Sequence, residues 1–312
     1  MSKALLHYVT NIILPPLIMV LLLSLQCAGQ QKVQFTQYMF SGMVINPAYA
    51  GVDEALSLTF IHRNQWSGIE GAPSTQTLSA HTLFKKKNLG LGLTIVNDKV
   101  GVHKNQSILT NYAYHLRTGE KSTLSMGLQA GIHSTRSDYA SLMDDVTNDP
   151  KLSNLVVSET FFDFGMGVYF RSPGLHVGLS APELIPETIS LNDTASVRLS
   201  RANIFLFSKY TITRSERIAY EPAVLLKYLP GLPLSFDVTI NMIYRKVLVL
   251  GLAYRKRESV DFLFKAQVTP QLQLGYGYDY TIGDVSRLSN GSHELMVHYL
   301  FRYVQTKVSS PR

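Results

Sequence analysis

The stretch Phe162-Asp163-Phe164-Gly165-Met166-Gly167-Val168-Tyr169-Phe170 decides the fold. Its large apolar side chains stand at 162, 164, 166, 168 and 170, and Asp163, Gly165, Gly167, Tyr169 and then Arg171 fill the alternate positions. Successive side chains of a strand point to opposite faces, so this is a strand with one oily face and one small or polar face. It runs about ten residues, the length a tilted strand needs to cross a membrane. Strands of a soluble sandwich alternate too, but they are nearer five or six residues and their outward face carries charge. Oil outside and water inside is the better fit.

The pattern recurs on both sides of this stretch. Leu124, Met126, Leu128, Ala130 and Ile132 alternate with Ser125, Gly127, Gln129, Gly131 and His133, and Leu89, Leu91, Leu93 and Ile95 alternate with Gly90, Gly92, Thr94 and Val96. Downstream, Leu234, Phe236, Val238, Ile240 and Met242 oppose Ser235, Asp237, Thr239 and Asn241, and Leu272, Leu274, Tyr276, Tyr278 and Tyr280 oppose Gln273, Gly275, Gly277 and Asp279. The runs predict strands near 55–66, 74–84, 88–97, 105–116, 122–136, 160–171, 174–180, 200–213, 217–228, 234–244, 247–256, 259–269, 271–281 and 293–304. That is about fourteen antiparallel strands, an even number as outer-membrane barrels require. Closure also answers a physical demand, because an unpaired strand edge in hydrocarbon leaves amides unsatisfied.

Short links (KKKN at 85–88, RTGEK at 117–121, RSPG at 171–174, RSE at 214–216, Arg245-Lys246, Pro270) alternate with longer ones at 67–73, 98–104, 137–159, 181–199 and 282–292. Short periplasmic turns and longer outer loops are the barrel arrangement. Tyr112, Tyr114, Tyr276, Tyr280, Tyr299 and Tyr303 suit interfacial girdles, where a ring is buried and its hydroxyl stays wet. The glycine pairs Gly90–Gly92 and Gly275–Gly277 lie within continuing strands, so they are not phosphate-binding loops, which need a strand followed by a helix.

Composition agrees. Charged residues are 16% of the 312, against ~25% in a typical soluble domain. At the start, Lys3 and His7 precede an apolar run from Ile12 to Leu25, followed by Gln26-Cys27-Ala28-Gly29-Gln30. This reads as a signal peptide over 1–29 cleaved between Gly29 and Gln30. Cys27 invites a lipoprotein reading, but Gln26 stands where a lipobox wants Gly or Ala. Cleavage removes the single cysteine, and with it any disulfide, thiol nucleophile or thiolate metal site. The net charge of +7 would suit nucleic acid in a cytosolic protein; export excludes that partner and leaves outer-membrane lipid as the first one.

Chemistry-bearing constellations are sparse. No histidine pair has helical or finger-type zinc spacing, so no metal site is expected. Ser107 with His103, and Ser292 with His293, are the pairs a rim hydrolase would need, but no nucleophile elbow accompanies them and no enzymatic activity or cofactor is expected. Asp144-Asp145 with Asn148-Asp149 could bind calcium but lacks the glycine and terminal glutamate of an EF-hand loop. Lys85, Lys86, Lys87, Arg245 and Lys246 crowd the short turns. They either keep strand ends from sliding into the bilayer or form a periplasmic docking surface for an acidic partner.

One stretch precedes the barrel and is too apolar for a loop: Tyr38-Met39-Phe40-Ser41-Gly42-Met43-Val44-Ile45-Asn46-Pro47-Ala48-Tyr49-Ala50-Gly51. Ahead of a barrel it has two places to go, the lumen or the periplasmic mouth. An Asn46-Pro47 turn could fold it back so that Tyr38, Phe40 and Tyr49, up to Gly51, fill space against small wall residues. The expected organisation is a plug-like or docking segment over 30–53, a barrel over 54–304 and a tail over 305–312.

Several stretches resemble the PorP/SprF family of outer-membrane proteins of the type IX secretion and gliding machinery of Bacteroidetes. They are QFTQYMFSGMVINPAYAG (34–51), RNQWSGIEGAPSTQTLSAH (63–81), NDPKL (148–152), FDFGMGVYF (162–170), HVGLSAPELI (176–185) and GSHELMVHY (291–299). The resemblance implies a barrel without catalysis or cofactor that works within an export apparatus. Its implied partners are periplasmic ring or peptidoglycan-linked lipoproteins and a secreted surface protein such as an adhesin. The continuation past Tyr303 departs from barrels that stop on an aromatic residue. The alternative from another class is a FadL-like or porin-like transport barrel for a small or hydrophobic solute.

Overall fold

The architecture follows from a computed structural model, which describes residues 34–139, 156–185, 187–192, 195–199, 203–230 and 232–301. The strands are β1 (Leu56–Asn64), β2 (Ser74–Phe84), β3 (Leu89–Val100), β4 (His103–Arg117), β5 (Thr123–Asp138), β6 (Val156–Arg171), β7 (Leu175–Ala181), β8 (Glu187–Asn192), β9 (Ala195–Leu199), β10 (Ile204–Tyr210), β11 (Ile212–Thr213), β12 (Ile218–Tyr228), β13 (Ser235–Tyr244), β14 (Leu248–Arg255), β15 (Ser259–Gln267), β16 (Leu272–Thr281) and β17 (Ser292–Phe301). Both β10 and β11 pair with β12 in one continuing register, so they are a single stave interrupted at Thr211.

Each stave pairs antiparallel with the next, and β1 pairs with β17 from Leu56↔Phe301 to Asn64↔His293. The result is a closed antiparallel barrel of fourteen strands. Closure pairs the first stave with the last and so removes the free sheet edge that hydrocarbon forbids, while β6 pairs with β7 over Met166–Arg171 only. The alternation works as expected: on β6 the side chain of Phe162 is 68% exposed and that of its neighbour Asp163 is 3% exposed. Leu128, Phe164, Met166, Ile240, Leu252 and Phe262 continue the oily exterior, with Tyr112, Tyr114, Tyr276 and Tyr280 also facing out. Most inward positions are small, polar or charged, and a few, among them Ile61, Tyr169, Phe207, Leu225 and Met296, are large and apolar.

Two links differ from the sequence expectation. The link expected over 98–104 shrinks to Gly101-Val102, with Gly101 in the left-handed region at φ +55°, because β3 and β4 stay paired up to Val100↔His103. The link expected over 181–199 contains the β8–β9 hairpin, which pairs only with itself and belongs to no stave. The signal segment with Gly29 and Gln30, the acidic stretch 144–150, Tyr303 and the tail 305–312 lie outside the described residues.

The tight links 85–88, 214–217 and 245–247 share one end of the barrel, the turn end; the links 65–73 and 282–291 share the other, the loop end. At the turn end the Val247 N–H closes a turn on the Tyr244 carbonyl at 3.0 Å, with Arg245 and Lys246 between them both at positive φ (49° and 57°), the left-handed pair that matches the twist of the flanking strands. Asn88 closes the Lys85–Lys87 turn in the same region, at φ 52°.

Candidate functional site: the lumenal segment

Residues 34–53 run through the lumen from the loop end to the turn end. Two short 3-10 turns, Gly42–Val44 and Pro47–Tyr49, compact the segment. Asn46 caps the second: its Oδ1 accepts the Ala48 N–H at 2.9 Å, and Pro47 sits where no N–H is needed. The Asn46 Nδ2 donates to the Val168 carbonyl at 3.0 Å, and Ser180 Oγ donates to the Ile45 carbonyl at 2.6 Å, so the turn is tied to β6 and β7.

At the loop end the segment meets charge. Glu294 on β17 accepts two successive backbone N–H groups, those of Thr36 and Gln37, each at 2.8 Å. Thr36 Oγ1 donates to Asp279 on β16 at 2.8 Å, and itself accepts from Arg63 on β1 at 2.7 Å. Arg63 pairs with Asp279 at 2.6 Å and with Glu294 at 3.2 Å, and all three side chains are buried. A second ring of charge adjoins it: Arg255 on β14 faces Asp237 (3.4 Å), Asp261 (3.8 Å) and Asp279 (3.9 Å). Lys227 on β12 pairs with Asp237 at 2.7 Å and donates to the side chain of Gln34. Seven neighbouring staves, β12–β17 and β1, thus each supply an ion to one clamp.

Further down, the contact is steric. A Cβ on Gly90 of β3 would lie 1.9 Å from the Ala50 carbonyl oxygen, one on Gly127 of β5 would lie 2.2 Å from the Ala48 nitrogen, and one on Gly167 of β6 would lie 2.1 Å from Asn46 Oδ1. Only glycine lets the segment's backbone approach β3 and β5, and lets the Asn46 side chain lie against β6. The segment's apolar side chains pack with inward groups of β6, β10 and β12: Tyr38, Met39, Ile45, Ala48 and Val52 join Tyr169, Phe207 and Leu225 in one buried cluster.

Each residue that the sequence singled out in this segment is engaged. The Tyr38 ring meets Phe207 edge-on at 5.9 Å, and Tyr49 meets Tyr169 at 5.4 Å. Phe40 lies under the Lys265 ammonium at 4.1 Å, a favourable cation–π distance. Pro47 and Asn46 form the cap, and Gly51 donates its N–H to His81 Nδ1 at 3.1 Å while holding φ +86°. Lys85, Lys86, Lys87, Arg245 and Lys246 are exposed at the turn end. There Glu54 pairs with Arg171 at 3.1 Å and with Lys85 at 3.4 Å. Slight burial works to raise the Glu54 carboxyl, but these two cations overcome it and hold it below the usual range.

The serine–histidine pairs named from the sequence are not assembled. Ser107 bonds His133 at 2.6 Å and His103 bonds Ser137 at 2.7 Å. Ser292 faces the lumen and takes the Trp66 N–H, whereas His293, on the opposite face, bonds the Tyr276 hydroxyl. Sequence reasoning missed the clamp, Thr36, Gln37, Arg63, Asp279 and Glu294 above all. The available signal was a charge at an inward position of a strand, present at Asp237 and Asp279.

Barrel closure, an oily exterior and a charged lumen define an integral β-barrel of the outer membrane. A family profile described as type IX secretion system membrane protein PorP/SprF matches residues 27–299, and the chain belongs to that family. No curated protein matches the chain. Among solved structures, the monoaromatic hydrocarbon channel CymD is 14% identical, over 84% of this chain and 93% of its own, with a TM-score of 0.47. The P. putida toluene transporter TodX is 9% identical over 84% and 94%, with a TM-score of 0.46. A Pseudomonas aeruginosa FadL homologue is 12% identical over 79% and 89%, with a TM-score of 0.45.

Proposed function

We propose that this type IX secretion membrane component works as a closed scaffold rather than as a solute channel. The observation that carries the reading is the lumenal segment, bound along its length by hydrogen bonds, ion pairs and close backbone contacts. A free path for solute would need those contacts broken. The exposed surfaces are then the working parts. The turn end, rich in Lys85, Lys86, Lys87, Arg245 and Lys246, docks an acidic face of a periplasmic ring or peptidoglycan-linked lipoprotein. The loop end retains or helps to export a secreted surface protein. The signal segment ahead of Gln30 is cleaved on export, and no catalytic step or cofactor belongs to this role.

Deletion of the gene removes one surface protein, or surface motility, and leaves outer-membrane permeability near normal. Crosslinking in native membranes followed by capture of this chain recovers secretion-machine lipoproteins, and replacing Lys85, Lys86, Lys87, Arg245 and Lys246 by Gln weakens that recovery. A general permeability defect with intact export would overturn the reading in favour of a transport barrel.

A further inference from the structure

Away from the lumenal segment, three staves and one link bring a second group of side chains together. His133 on β5 and Asp163 on β6 both face the lumen and are almost fully buried, at 6% and 3% exposure. Glu183 follows β7, in a link that turns inward against β6: a Cβ on Gly165 would lie 2.3 Å from the Pro182 carbonyl oxygen, and the Leu184 N–H bonds the Phe164 carbonyl at 2.9 Å. One donor atom from each of His133, Asp163 and Glu183 lies within 4.8 Å of the other two.

Two details separate this group from an ordinary buried network. The first is how its members are held. Ser107 Oγ on β4 bonds His133 Nδ1 at 2.6 Å, which leaves Nε2 to point at Asp163. Asp163 Oδ1 accepts three backbone N–H groups, from Phe164 (2.7 Å), Ile185 (3.0 Å) and Leu184 (3.1 Å). A second shell that fixes the imidazole through its far nitrogen, and a carboxylate through its far oxygen, is the usual support of metal ligands. The second detail is what these supports leave over. His133 Nε2 and Asp163 Oδ2 are buried and without a hydrogen-bond partner, and they face each other at 3.6 Å. That is too long for a hydrogen bond. It is close to the separation of about 3.4 Å between two donors on one tetrahedral metal with bonds of about 2.1 Å.

We propose that His133, Asp163 and Glu183 bind one divalent cation of the zinc class, which staples the link after β7 to the inner wall. One imidazole with two carboxylates suits Zn2+ better than Ca2+, which takes a shell of six to eight oxygens. A nucleophilic serine reading of Ser107, His133 and Asp163 fits less well, since an acid 3.6 Å from the imidazole does not orient it by a hydrogen bond. The ligands lie far apart in the chain, each on its own element, so no sequence spacing announces them.

The test uses the full-length mature protein in detergent, free of any histidine tag, stripped with EDTA and then equilibrated with Zn2+. Elemental analysis after dialysis finds one zinc per chain, and calorimetric titration gives a matching stoichiometry. His133→Ala and Glu183→Gln each weaken binding by at least about tenfold. Glu183 lies outside the staves, so Glu183→Gln keeps the heat-modifiable mobility of a folded barrel and separates loss of a ligand from loss of the fold. Absence of stoichiometric zinc in the folded wild type would overturn the proposal. So would unchanged affinity in folded Glu183→Gln, and retention of Ca2+ with no retention of Zn2+ would overturn the zinc assignment.

Discussion

The lumenal segment is held by two unlike regions of one barrel. From β12 through β17 and on to β1 the wall grips residues 34–37 with ions: Glu294 on two backbone amides, Asp279 on Thr36, and Arg63 across both. From β3 through β6 it grips residues 46–51 by standing aside, with Gly90 and Gly127 leaving room for backbone and Gly167 for the Asn46 side chain. A charge clamp is directional and costly to desolvate, so it specifies position. A glycine wall is cheap but tolerates no enlargement. The first fails when one partner is removed, the second when one atom is added.

The comparison breaks most sharply at Arg63. Arg63→Ala strands Asp279 and Glu294 in a buried site, and removing one partner of a buried ion pair typically costs about 3–5 kcal/mol. Denaturant unfolding in detergent should show a loss of that order, and protease should gain access to the segment near Thr36.

On the opposite wall Gly127→Val adds atoms where Ala48 already lies. Overpacking costs about 1–3 kcal/mol, and the strain falls on a backbone that cannot rotate away. The expected readout is partial release of residues 46–51 with the barrel still closed: the variant runs as a folded barrel but is nicked by protease within the segment. Asn46→Ala sits between the two regimes. It removes the cap, the bond to Val168 and the side-chain contact with Gly167 while keeping the backbone contacts at Gly90 and Gly127, and should cost about 1 kcal/mol in the same unfolding assay.

The smallest effect lies where the segment leaves the lumen. Glu54 is depressed by Arg171 and Lys85, so its stabilising contribution is present at neutral pH and is lost as pH falls through its folded value, below 4.5. Glu54→Gln should leave stability at pH 7 nearly unchanged, as exposed pairs usually do, and should flatten the acid limb of a stability–pH profile.

How much of this was legible in the sequence follows from what each feature depends on. Alternation is local, so 162–170 and its counterparts announced all the staves, with ends displaced by up to four residues at Val156 and Ile204, and with Asp98, Lys99 and Val100 read as loop although they stay paired across a two-residue turn. The β8–β9 hairpin was missed because its strands are too short to span and lie within a long polar link. The lumenal segment was visible as apolar surface with an Asn-Pro turn, because Tyr38, Phe40 and Tyr49 have no polar reason to be there. The clamp was not, since Arg63 and Glu294 become neighbours only when β1 closes on β17. His133, Asp163 and Glu183 share that blindness: each looks like an isolated polar residue until the wall curves.

The central claim is that residues 34–53 close the lumen. Single-channel recording in planar bilayers on the full-length mature chain and on a variant lacking 34–53 tests it most directly, with both first shown to be folded barrels by heat-modifiable mobility. The account predicts a silent or nearly silent wild type and stable open-channel conductance in the deletion variant. Equal conductance in the two would contradict it, and would return the segment to a docking role outside the path of solute.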